Sequence, residues 1–485
     1  MKKNKFLVIG GGIAGVTCAE QLSSLCPTEE VALITASKLI KAVKNYQKVS
    51  RTLEQFDVEE RPMIAMETDF PNVQVIHNKL TNLDTDKQVA MLADGGEIQY
   101  EMVCICTGAR PRMIAANNPF VLGIRDTESV QTFQKRLHNA RRIVVIGNGG
   151  IATELVWEVQ GCEVLWAVKD RHISTTFVDP GAAQFFLPHL NKEKPDTSHE
   201  PIKRHKYAEQ AGEGDPVSAD GGAALGPDWT ADLQMRGITK TGHAVHVDYE
   251  VEVRSVMSPE EFRISGKPTT QPPGFSTEQD VWPVYVELTS GSVYGCDFVV
   301  SATGVVPNVQ LFLQNNFTMS NEGGIQVNDQ METNVPGVFA AGDVCTASWD
   351  WAPHWHQMRL WSQARQMGAY AARCMAARDQ GDQVHLDFCF EMFAHVTNFF
   401  NYKVILLGKF NGQGLGNDYE ILLRVTKGVE YVKVVLHDNR MAGALLVGDT
   451  DLEETFENLI LNQTDLSPFK DHLLDPDIDI DDFFD

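Results

Sequence analysis

The stretch "KFLVIGGGIAGVTCAEQL", residues 5–22, contains the pattern that decides the fold. A short apolar run predicts a buried β-strand, a glycine-rich turn follows it, and the remainder has the composition of a helix. The glycines have the spacing Gly10-x-Gly12-x-x-Gly15. In this pattern the first glycine makes a tight turn, the second lets the backbone approach a pyrophosphate, and the third packs the helix against the strand. The stretch therefore predicts a dinucleotide-binding unit.

The same unit occurs a second time in "RRIVVIGNGGIATELVWEV", residues 141–159. Its glycine turn has the spacing Gly147-x-Gly149-x-x-Ala152, and it begins 137 residues after Gly10. Each unit is followed by a second apolar stretch that predicts another strand. The alternative interpretation is a pair of glycine turns in an ordinary α/β sheet. Two copies in this context favour two dinucleotide-binding domains in one chain.

Length, composition and charge narrow the class of protein. With 485 residues, 43% of them hydrophobic, the chain is long enough for about three domains. A formal net charge of −24 argues against direct binding to nucleic acid, because phosphates would be repelled over most of the surface. No apolar run of about 18 residues occurs, so no membrane span is expected. Nine cysteines, an odd number, fit reduced thiols in the cytosol or nucleus.

The pattern of apolar runs and turns predicts an α/β fold with three domains and two irregular segments. The C-terminal part has four short alternating strands followed by one helix, which is typical of an antiparallel α+β domain. A polar, glycine- and proline-rich insertion is expected to lie on the surface and to be partly disordered. The strand-rich stretch at residues 243–256 lies inside it, and we expect this stretch to return to the second domain. The predicted divisions are a first dinucleotide-binding domain (1–122 and 311–388), a second one (123–310) with an insertion at about 189–280, a C-terminal domain (389–474) and an acidic segment (475–485).

A further short motif lies in "VFAAGDV", residues 338–344. A strand that ends in Ala341-Gly342-Asp343 is what a flavin-binding domain uses to bring a carboxylate to the ribityl chain. The helix predicted to begin near Trp361 could aim the positive end of its dipole at the pyrimidine edge of a flavin. The turns "CTGARP" and "SATGVVPN" close corresponding strands of the two domains.

Together, the two glycine turns, the two Thr-Gly turns and "AAGD" resemble the pyridine nucleotide-disulfide oxidoreductase family over residues 1 to about 460. The resemblance implies two Rossmann-like domains, one for FAD and one for NAD(P)H. The candidate cofactor contacts are Gly10, Gly12, Ile13, Ala14, Gly15, Thr35, Ser37, Lys44, Thr107, Gly108, Gly147, Gly149, Gly150, Ile151, Glu154, Lys169, Thr303, Gly304, Gly342 and Asp343.

Several longer stretches, among them "TASKLIKAVKNY" and "QMRLWSQARQMGAYAA", resemble one eukaryotic member of the family more closely. This closer resemblance implies association with the tRNA-splicing ligase complex, in the nucleus and cytoplasm, and protection of the catalytic cysteine of that complex from oxidation. It does not imply direct contact with nucleic acid or with a membrane.

The chain departs from the family pattern where an acid normally holds a ribose. In the first domain the position is occupied by Thr35, with Ser37 nearby; hydroxyls can still bond a ribose, more weakly than a carboxylate. In the second domain the position is Val168, followed by Lys169 and Asp170. An acid there would favour NADH and a base would favour NADPH, so the mixture leaves the choice of coenzyme open.

A second departure concerns the redox-active cysteines. The stretch "LITASKLIKAVKNYQKVSR", residues 33–51, falls where the family places a reactive cysteine in a helix, yet no cysteine lies between Cys26 and Cys104. The three lysines of this expected helix, which are Lys41, Lys44 and Lys48, either include one that contacts the flavin or form a solvated helix face.

The remaining thiols do not have the spacing of a relay. Cys104-x-Cys106 lies in a predicted strand, where side chains two apart point the same way at the edge of disulfide range. We interpret the two as small core residues. Cys345, directly after "AGDV", is interpreted in the same way, with a redox role near the flavin as the alternative.

Two further segments allow more than one interpretation. An aromatic segment contains Trp349, Trp351, Trp355 and Trp361 with two histidines between them. It either covers the flavin, forms a surface for a partner, or packs against the C-terminal domain; a metal site there is not expected. In the acidic segment 475–485 aspartates alternate with isoleucines and phenylalanines. It either docks as an extended peptide on a partner or on the chain itself, or is a disordered terminus.

Two functions follow from these observations. The first is an FAD enzyme that takes a hydride directly from NAD(P)H, needs no side chain as acid or base, and passes electrons to oxygen, a quinone or dye, or another protein. The second is a redox-gated binding protein, in which reduction shifts a partner-binding conformation. A monomer is favoured over a dimer, because dimers of the family often accompany the thiol chemistry that this chain lacks.

Overall fold

The computed structural model describes residues 3–190, 225–227, 229–230, 233–239, 243–276 and 281–475. Within these ranges the predicted α/β fold is confirmed: two sheets of the dinucleotide-binding type are accompanied by a C-terminal antiparallel sheet. The described helices include none that is long and apolar enough to cross a membrane.

The described helices and strands fall into three groups along the chain. The first group contains β1 (Lys3–Ile9), α1 (Ile13–Leu25), β2 (Val31–Thr35), β3 (Leu39–Lys48), β4 (Glu54–Pro62), α2 (Met63–Asp69), β5 (Val73–His77), β6 (Leu80–Asp84), β7 (Val89–Leu92), β8 (Glu97–Ile105) and β9 (Ala109–Pro111). The second contains β10 (Val121–Gly123), α3 (Thr127–Leu137), β11 (Arg142–Ile146), α4 (Gly150–Glu158), β12 (Glu163–Ala167), α5 (Pro180–Phe186), β13 (Ala244–Asp248), β14 (Val253–Met257), α6 (Pro259–Ser265), β15 (Val284–Leu288), β16 (Val293–Cys296), β17 (Phe298–Ser301) and β18 (Val305–Pro307). The third contains β19 (Ile325–Val327), β20 (Val338–Ala340), β21 (Cys345–Ala347), α7 (Trp361–Gln380), β22 (Ala394–Phe399), β23 (Tyr402–Gly408), β24 (Glu420–Thr426), β25 (Glu430–His437), β26 (Arg440–Val447) and α8 (Glu453–Asn462).

The first sheet has a parallel core in the order β5-β2-β1-β8. Strand β8 also pairs with β20, in parallel, and with β7, which is antiparallel to it and pairs in turn with β6. Its central strands are buried on both faces, which explains why they are continuous apolar runs in the sequence. Helices α1 and α7 pack closely against each other, since a Cβ added at Gly368 would lie 2.2 Å from the carbonyl oxygen of Ala14. This contact fixes the start of α1 relative to the rest of the domain.

The second sheet repeats this arrangement in the order β10-β17-β11-β12-β13, with all strands parallel. Strand β13 comes from the stretch 243–256, so the prediction that this stretch returns to the second domain is confirmed. The antiparallel strands β14, β15 and β16 form a smaller sheet beside it. The predicted disorder of the insertion concerns mainly residues 191–224, which lie outside the described residues. The described part at 233–239 is not purely superficial, because Met235 is buried in the core of the second domain.

The C-terminal sheet has the order β22-β23-β26-β25-β24, and every neighbouring pair is antiparallel. One face packs against α8, and the other packs against the second domain. An ion pair joins the C-terminal sheet to the second domain. Lys433 is buried, and its Nζ lies 2.5 Å from the carboxylate of Asp179, the residue that caps α5. Strand β24 is at the open edge of this sheet.

The helix expected around Lys41, Lys44 and Lys48 is wrong, because Leu39–Lys48 forms β3, which pairs with β4 in a two-stranded hairpin. The buried residues of β3, which are Ile40, Lys41 and Ala42, are consecutive and do not alternate with exposed ones. Asn45 has a φ of 50° and lies where the pairing of the two strands is irregular. The end of the hairpin is held by the buried carboxylate of Glu457, which accepts hydrogen bonds from both the backbone N–H and the hydroxyl of Thr52 at 2.6 Å. The hairpin therefore joins the first domain to α8.

Candidate functional site

The first glycine turn is shaped by close backbone contacts. Gly10 has a φ of 126°, and a Cβ there would lie 2.1 Å from the carbonyl oxygen of Cys106. A Cβ at Gly15 would lie 1.9 Å from the carbonyl oxygen of Gly10, so α1 approaches β1 as closely as glycine permits. Helix α1 begins after Gly12 without a side-chain cap, which leaves its first amide groups for a ligand. The turn has the geometry of a pyrophosphate site.

The second turn repeats this geometry. Gly147 has a φ of 131°, and a Cβ there would lie 2.0 Å from the carbonyl oxygen of Ala302. Helix α4 begins after Gly149, again without a side-chain cap. A Cβ at Gly149 would meet nothing within 4 Å, so here the absence of a side chain leaves open space at a helix N-terminus. This space fits the close approach of a second pyrophosphate.

A single cavity of about 1430 Å³ connects the two turns. It is larger than the roughly 300–1,000 Å³ of a typical small-molecule pocket, which suits two dinucleotides. The predicted cofactor contacts that line it are Gly10, Gly12, Ile13, Ala14, Thr35, Ser37, Thr107, Gly108, Gly147, Gly149, Gly150, Ile151, Glu154, Lys169, Thr303, Gly304 and Asp343. The cavity brings both halves of the chain to one place, and their individual cofactor contacts stay predictions.

Three predicted contacts do not line the cavity. Gly15 is packed beneath the first turn, and Gly342 has a φ of 77° with a Cβ position 2.9 Å from the Cβ of Ala14. Both glycines therefore shape the backbone around the cavity. Lys44 lies on the β3–β4 hairpin, and the structure does not place it at the cavity wall.

Asp343 is held by an arginine that the sequence reasoning missed. Arg125 donates from Nη2 to a carboxylate oxygen of Asp343 at 2.7 Å and from Nε to the carbonyl oxygen of Ala109 at 2.7 Å. The two residues are 218 positions apart, and both line the cavity. The arginine keeps the carboxylate oriented and neutralises its charge where it faces the cavity.

The residues that replace the ribose-binding acid of the first domain bond mainly to each other. The hydroxyl of Thr35 accepts a hydrogen bond from the backbone N–H of Ser37 and donates one to the carbonyl oxygen of Ser37, each at 3.2 Å. The hydroxyl of Ser37 donates to Glu128, the first acidic residue of α3, at 3.2 Å. An acid therefore stands near the predicted ribose position, but it comes from another element.

In the second domain the chain after β12 is organised by Asn148, the residue between the first two glycines. Its side-chain amide donates to Asp170 at 2.8 Å and to Thr175 at 2.7 Å, while its oxygen accepts from the backbone N–H of Ser174 at 2.5 Å. Asp170 and Lys169 both line the cavity. Acid and base therefore stand together at the ribose end, and the structure keeps the coenzyme choice open.

The described part of the insertion adds a wall that the sequence did not predict. Residues 225, 226 and 229 line the cavity, and the indole N–H of Trp229 donates to the carboxylate of Glu154 at 2.5 Å. Leu225 donates its backbone N–H to the carbonyl oxygen of Arg125 at 2.9 Å. The only sequence signal was a tryptophan within a stretch of small and polar residues. Gly226 lies against the side chain of Val58 in β4, so the segment bridges the first and second domains at the cavity.

The aromatic segment divides between the core and the cavity. Trp349 and Trp355 stack at 5.6 Å and pack on Phe390, so packing is the better interpretation for them, within the first domain's core. Trp361 lines the cavity at the start of α7 and lies 4.9 Å from the ring of His395. Complete burial lowers the pKa of His395 to about 3, so this ring is neutral at physiological pH.

The nine cysteines are all among the described residues, and all are free thiols. The sulfur atoms of Cys104 and Cys106 are 3.5 Å apart inside the first core. The pKa of Cys104 is well above its usual value, because the thiol bonds to Cys106 and Cys18 and is buried. Cys345 is buried, and its thiol donates to the carbonyl oxygen of Gly342 at 3.3 Å. The described residues contain no group of three His, Cys, Asp or Glu side chains that could hold a metal ion.

Comparisons with known proteins agree with this geometry. Residues 4–201 and 247–368 match the family described as pyridine nucleotide-disulphide oxidoreductase, and residues 394–464 match the rubredoxin NAD+ reductase C-terminal domain. The "Pyridine nucleotide-disulfide oxidoreductase domain-containing protein 1" of Rattus norvegicus is 53% identical over 489 residues, which cover 99% of this chain and 98% of the rat protein. The protein of the same name from Drosophila melanogaster is 44% identical over 492 residues and all of both chains.

Among solved structures, the covalent putidaredoxin reductase–putidaredoxin complex has a fold similar to that of this chain. The TM-score is 0.66 at 17% identity, and the match covers 99% of this chain and 98% of the other. At this identity the similarity shows the fold alone.

Proposed function

The chain belongs to the pyridine nucleotide-disulphide oxidoreductase family and is an NAD(P)H-dependent flavin oxidoreductase with FAD and NAD(P)H as cofactors; from this premise we propose that its flavin is reduced directly by NAD(P)H and does not pass electrons to a protein disulfide. The observation that carries the proposal is the distribution of the thiols. No cysteine occurs between Cys26 and Cys104, so the β3–β4 hairpin contains no thiol.

The other thiols also support the absence of a relay. A relay requires two exposed or cavity-facing sulfur atoms that can form and break a bond beside the flavin. Cys106 lines the cavity just beyond the end of β8, but its neighbour Cys104, which lies on that strand, is enclosed in the core. The raised pKa of Cys104 opposes formation of the thiolate that would attack.

The residues of the chain would hold the two cofactors as follows. The N-termini of α1 and α4 offer uncapped amide groups to the pyrophosphates, and Asp343, oriented by Arg125, offers acceptors to the ribityl hydroxyls. When bound, flavin supplies the hydride acceptor and reduced nicotinamide the donor. The N-terminus of α7, which has no side-chain cap and lies at the cavity, stabilises negative charge there. Positioning and electrostatics are the whole contribution of the protein, and no side chain acts as acid or base.

Anaerobic mixing with NADH or NADPH tests this proposal. The flavin absorbance should bleach, and the Cys106→Ala variant should bleach at the same rate, because that thiol takes no part. A disulfide dye added to the reduced protein should react slowly in both proteins. Rapid reduction of the dye that disappears in Cys106→Ala would overturn the proposal, since it would show a thiol on the path of the electrons.

We also propose that the reduced protein associates with the tRNA-splicing ligase complex in the nucleus and cytoplasm and protects it from oxidative inactivation. The support is the resemblance of long stretches of the sequence to one eukaryotic member of the family. The alternative is an NAD(P)H:oxygen or NAD(P)H:quinone reductase, with a small-molecule acceptor. Capture of the complex by the protein that depends on NAD(P)H, together with slow reoxidation in air, would favour the first. Fast reoxidation by air with no such capture would favour the second.

A further inference from the structure

The open edge of the C-terminal sheet carries an exposed apolar surface. Ile421, Leu423 and Val425 of β24 are 50%, 52% and 48% exposed, and Val429 just beyond the strand is 61% exposed. The first three alternate along the strand, so they lie on one face of the sheet. Single exposed apolar residues are ordinary, whereas a contiguous row marks a surface that something covers. We call these four residues the edge surface.

The backbone of β24 is also available on its outer side. In the described part of the chain β24 pairs only with β25, so its other edge presents free N–H and C=O groups. Natural sheets protect such edges with charges, prolines or a covering segment, because an open edge is a template for another strand. The apolar side chains of β24 do not protect the edge in this way; they favour its pairing with another strand.

The described chain ends directly beside this edge. Arg424 of β24 donates from Nη1 to the carbonyl oxygen of Leu474 at 3.5 Å, and Lys470 lies 3.1 Å from Glu420 at the start of the strand. Arg424 alternates with the residues of the edge surface and so points to the opposite face. The chain thus reaches Asp475 under the edge strand, and residues 476–485 start from there.

The composition of residues 476–485 complements the edge. As a strand, Asp477, Asp479 and Asp481 would point to one face, and Ile478 and Ile480 to the other. The apolar face matches the edge surface, and the acidic face matches the side on which Arg424 and Lys470 lie.

The charges at the edge and the length of residues 476–485 are both compatible with a strand beside β24. Arg424 also bonds to Glu430, and Lys470 to Glu420, while Lys427 has no ion pair in the described part of the chain. Arg424 and Lys470 are thus each already paired with a glutamate, and Lys427 is the base that is left for an added carboxylate. Ten extended residues span about 33 Å, more than the roughly 24 Å of the seven-residue strand β24.

We propose that residues 476–485 bind back onto β24 as a sixth strand of the C-terminal sheet, with Ile478 and Ile480 on the edge surface and the aspartates towards Arg424. The proposal does not depend on the proposed redox function. A second copy of the chain is a weaker candidate for this place, because pairing seven residues buries less than the ~1,200 Å² of a stable interface. In this arrangement the edge surface and residues 476–485 bury each other, so dissociation of the segment exposes both.

Amide hydrogen exchange of the FAD-loaded full chain tests the proposal. Removal of residues 476–485 should speed the exchange of those β24 amides that do not bond to β25 by about tenfold or more, while the central strand β23 should not change. The double variant Ile478→Asp with Ile480→Asp keeps the length and should behave like the deletion. A synthetic peptide of residues 475–485, added to the truncated protein, should restore the protection.

Three results would each overturn the proposal. A peptide of the same composition in scrambled order should not restore protection, and equal restoration would overturn the proposal by showing mere charge attraction. Unchanged exchange in the truncated protein would overturn it as well. Protection that rises with protein concentration, accompanied by a larger mass in sedimentation, would assign the edge to a second copy and overturn it too.

Discussion

The two glycine turns begin alike and differ in how tightly they are enclosed. Gly10 and Gly147 have φ values of 126° and 131°, and the carbonyl oxygens that face them are 2.1 and 2.0 Å from the Cβ positions. Behind the first turn, Gly15 is pressed against the turn itself, and α7 crosses α1 at Gly368. Behind the second turn, the corresponding position is Ala152, and the middle glycine faces open space.

We propose that this difference separates a permanently occupied site for FAD at the first turn from an exchangeable site for NAD(P)H at the second. The first turn is covered by a second helix and by the Arg125–Asp343 pair, so a bound dinucleotide is enclosed by groups from distant parts of the chain. The second turn opens towards a wall made by a short described piece of the insertion at Trp229. A cofactor that stays bound and a cosubstrate that enters and leaves at every turnover require these two designs.

The largest effect is expected from alanine at the first glycine of either turn. Both substitutions force a Cβ into a backbone carbonyl that cannot move aside, at a cost of several kcal/mol. Gly10→Ala should yield protein with little FAD, whereas Gly147→Ala should retain FAD and lose reduction by NAD(P)H. Flavin content per chain and anaerobic bleaching measure the two effects. Equal loss of FAD in both variants would contradict the separation of the sites.

A milder change should follow from alanine at the middle glycine of the second turn. Because a Cβ at Gly149 meets no protein atom within 4 Å, Gly149→Ala should fold with normal FAD content. The methyl group would occupy ligand space, so the Kd for NAD(P)H should rise about tenfold, equivalent to about 1.4 kcal/mol. Titration of the flavin spectrum with the coenzyme gives the Kd. An unchanged Kd would mean that the pyrophosphate does not lie at this turn.

A smaller effect is expected at the wall of the second site. Trp229→Phe keeps an aromatic ring but removes the hydrogen bond to Glu154. Such a bond to a charged group contributes about 1.5–3 kcal/mol to the folded state, and only a part of this is expected in the rate of the reduction step. The rate of flavin reduction at saturating NAD(P)H should fall several-fold, with the FAD content unchanged. Stopped-flow kinetics measure the rate, and Glu154→Gln is the matched variant. If Trp229→Phe reduces as fast as the parent protein, the bond does not position the carboxylate for this step.

The smallest effect concerns pH and stability near the flavin side of the cavity. His395 is buried with its pKa lowered to about 3, while the unfolded chain would bind a proton near pH 6.5. Its stabilising contribution is therefore complete above pH 6.5 and declines by up to about 1.4 kcal/mol per pH unit as the pH falls below that value. Thermal midpoints from pH 7.5 to 5 should fall less steeply in His395→Asn. Parallel curves would show that the histidine is not buried as a neutral ring.

The features of the site that the sequence predicted are those formed by a few consecutive residues. The glycine turns, the Thr-Gly turns and the position of Asp343 each need only a few consecutive residues, and the cavity contains them. Arg125 and Trp229 were missed because their partners are 218 and 75 residues away. No local pattern records such a contact, since it depends on how whole domains pack.

The hairpin was missed for another reason. The helix expected around Lys41, Lys44 and Lys48 followed from where the family places a reactive cysteine, whereas the residues themselves favour a strand. Ile40 and Val43 are β-branched, and an antiparallel partner with matching β-branched and aromatic residues follows in "EQFDVEERP". The role of the acidic segment and the oligomeric state stay predictions.

The burial of the thiols has a consequence for the survival of the protein. Burial raises the pKa of Cys26, Cys162, Cys296, Cys345, Cys374 and Cys389. Peroxide and alkylating reagents attack the thiolate, and these side chains supply almost none at neutral pH. These six thiols therefore offer an oxidant little thiolate, and we expect the fold to tolerate peroxide concentrations that inactivate an enzyme whose catalysis needs a thiolate.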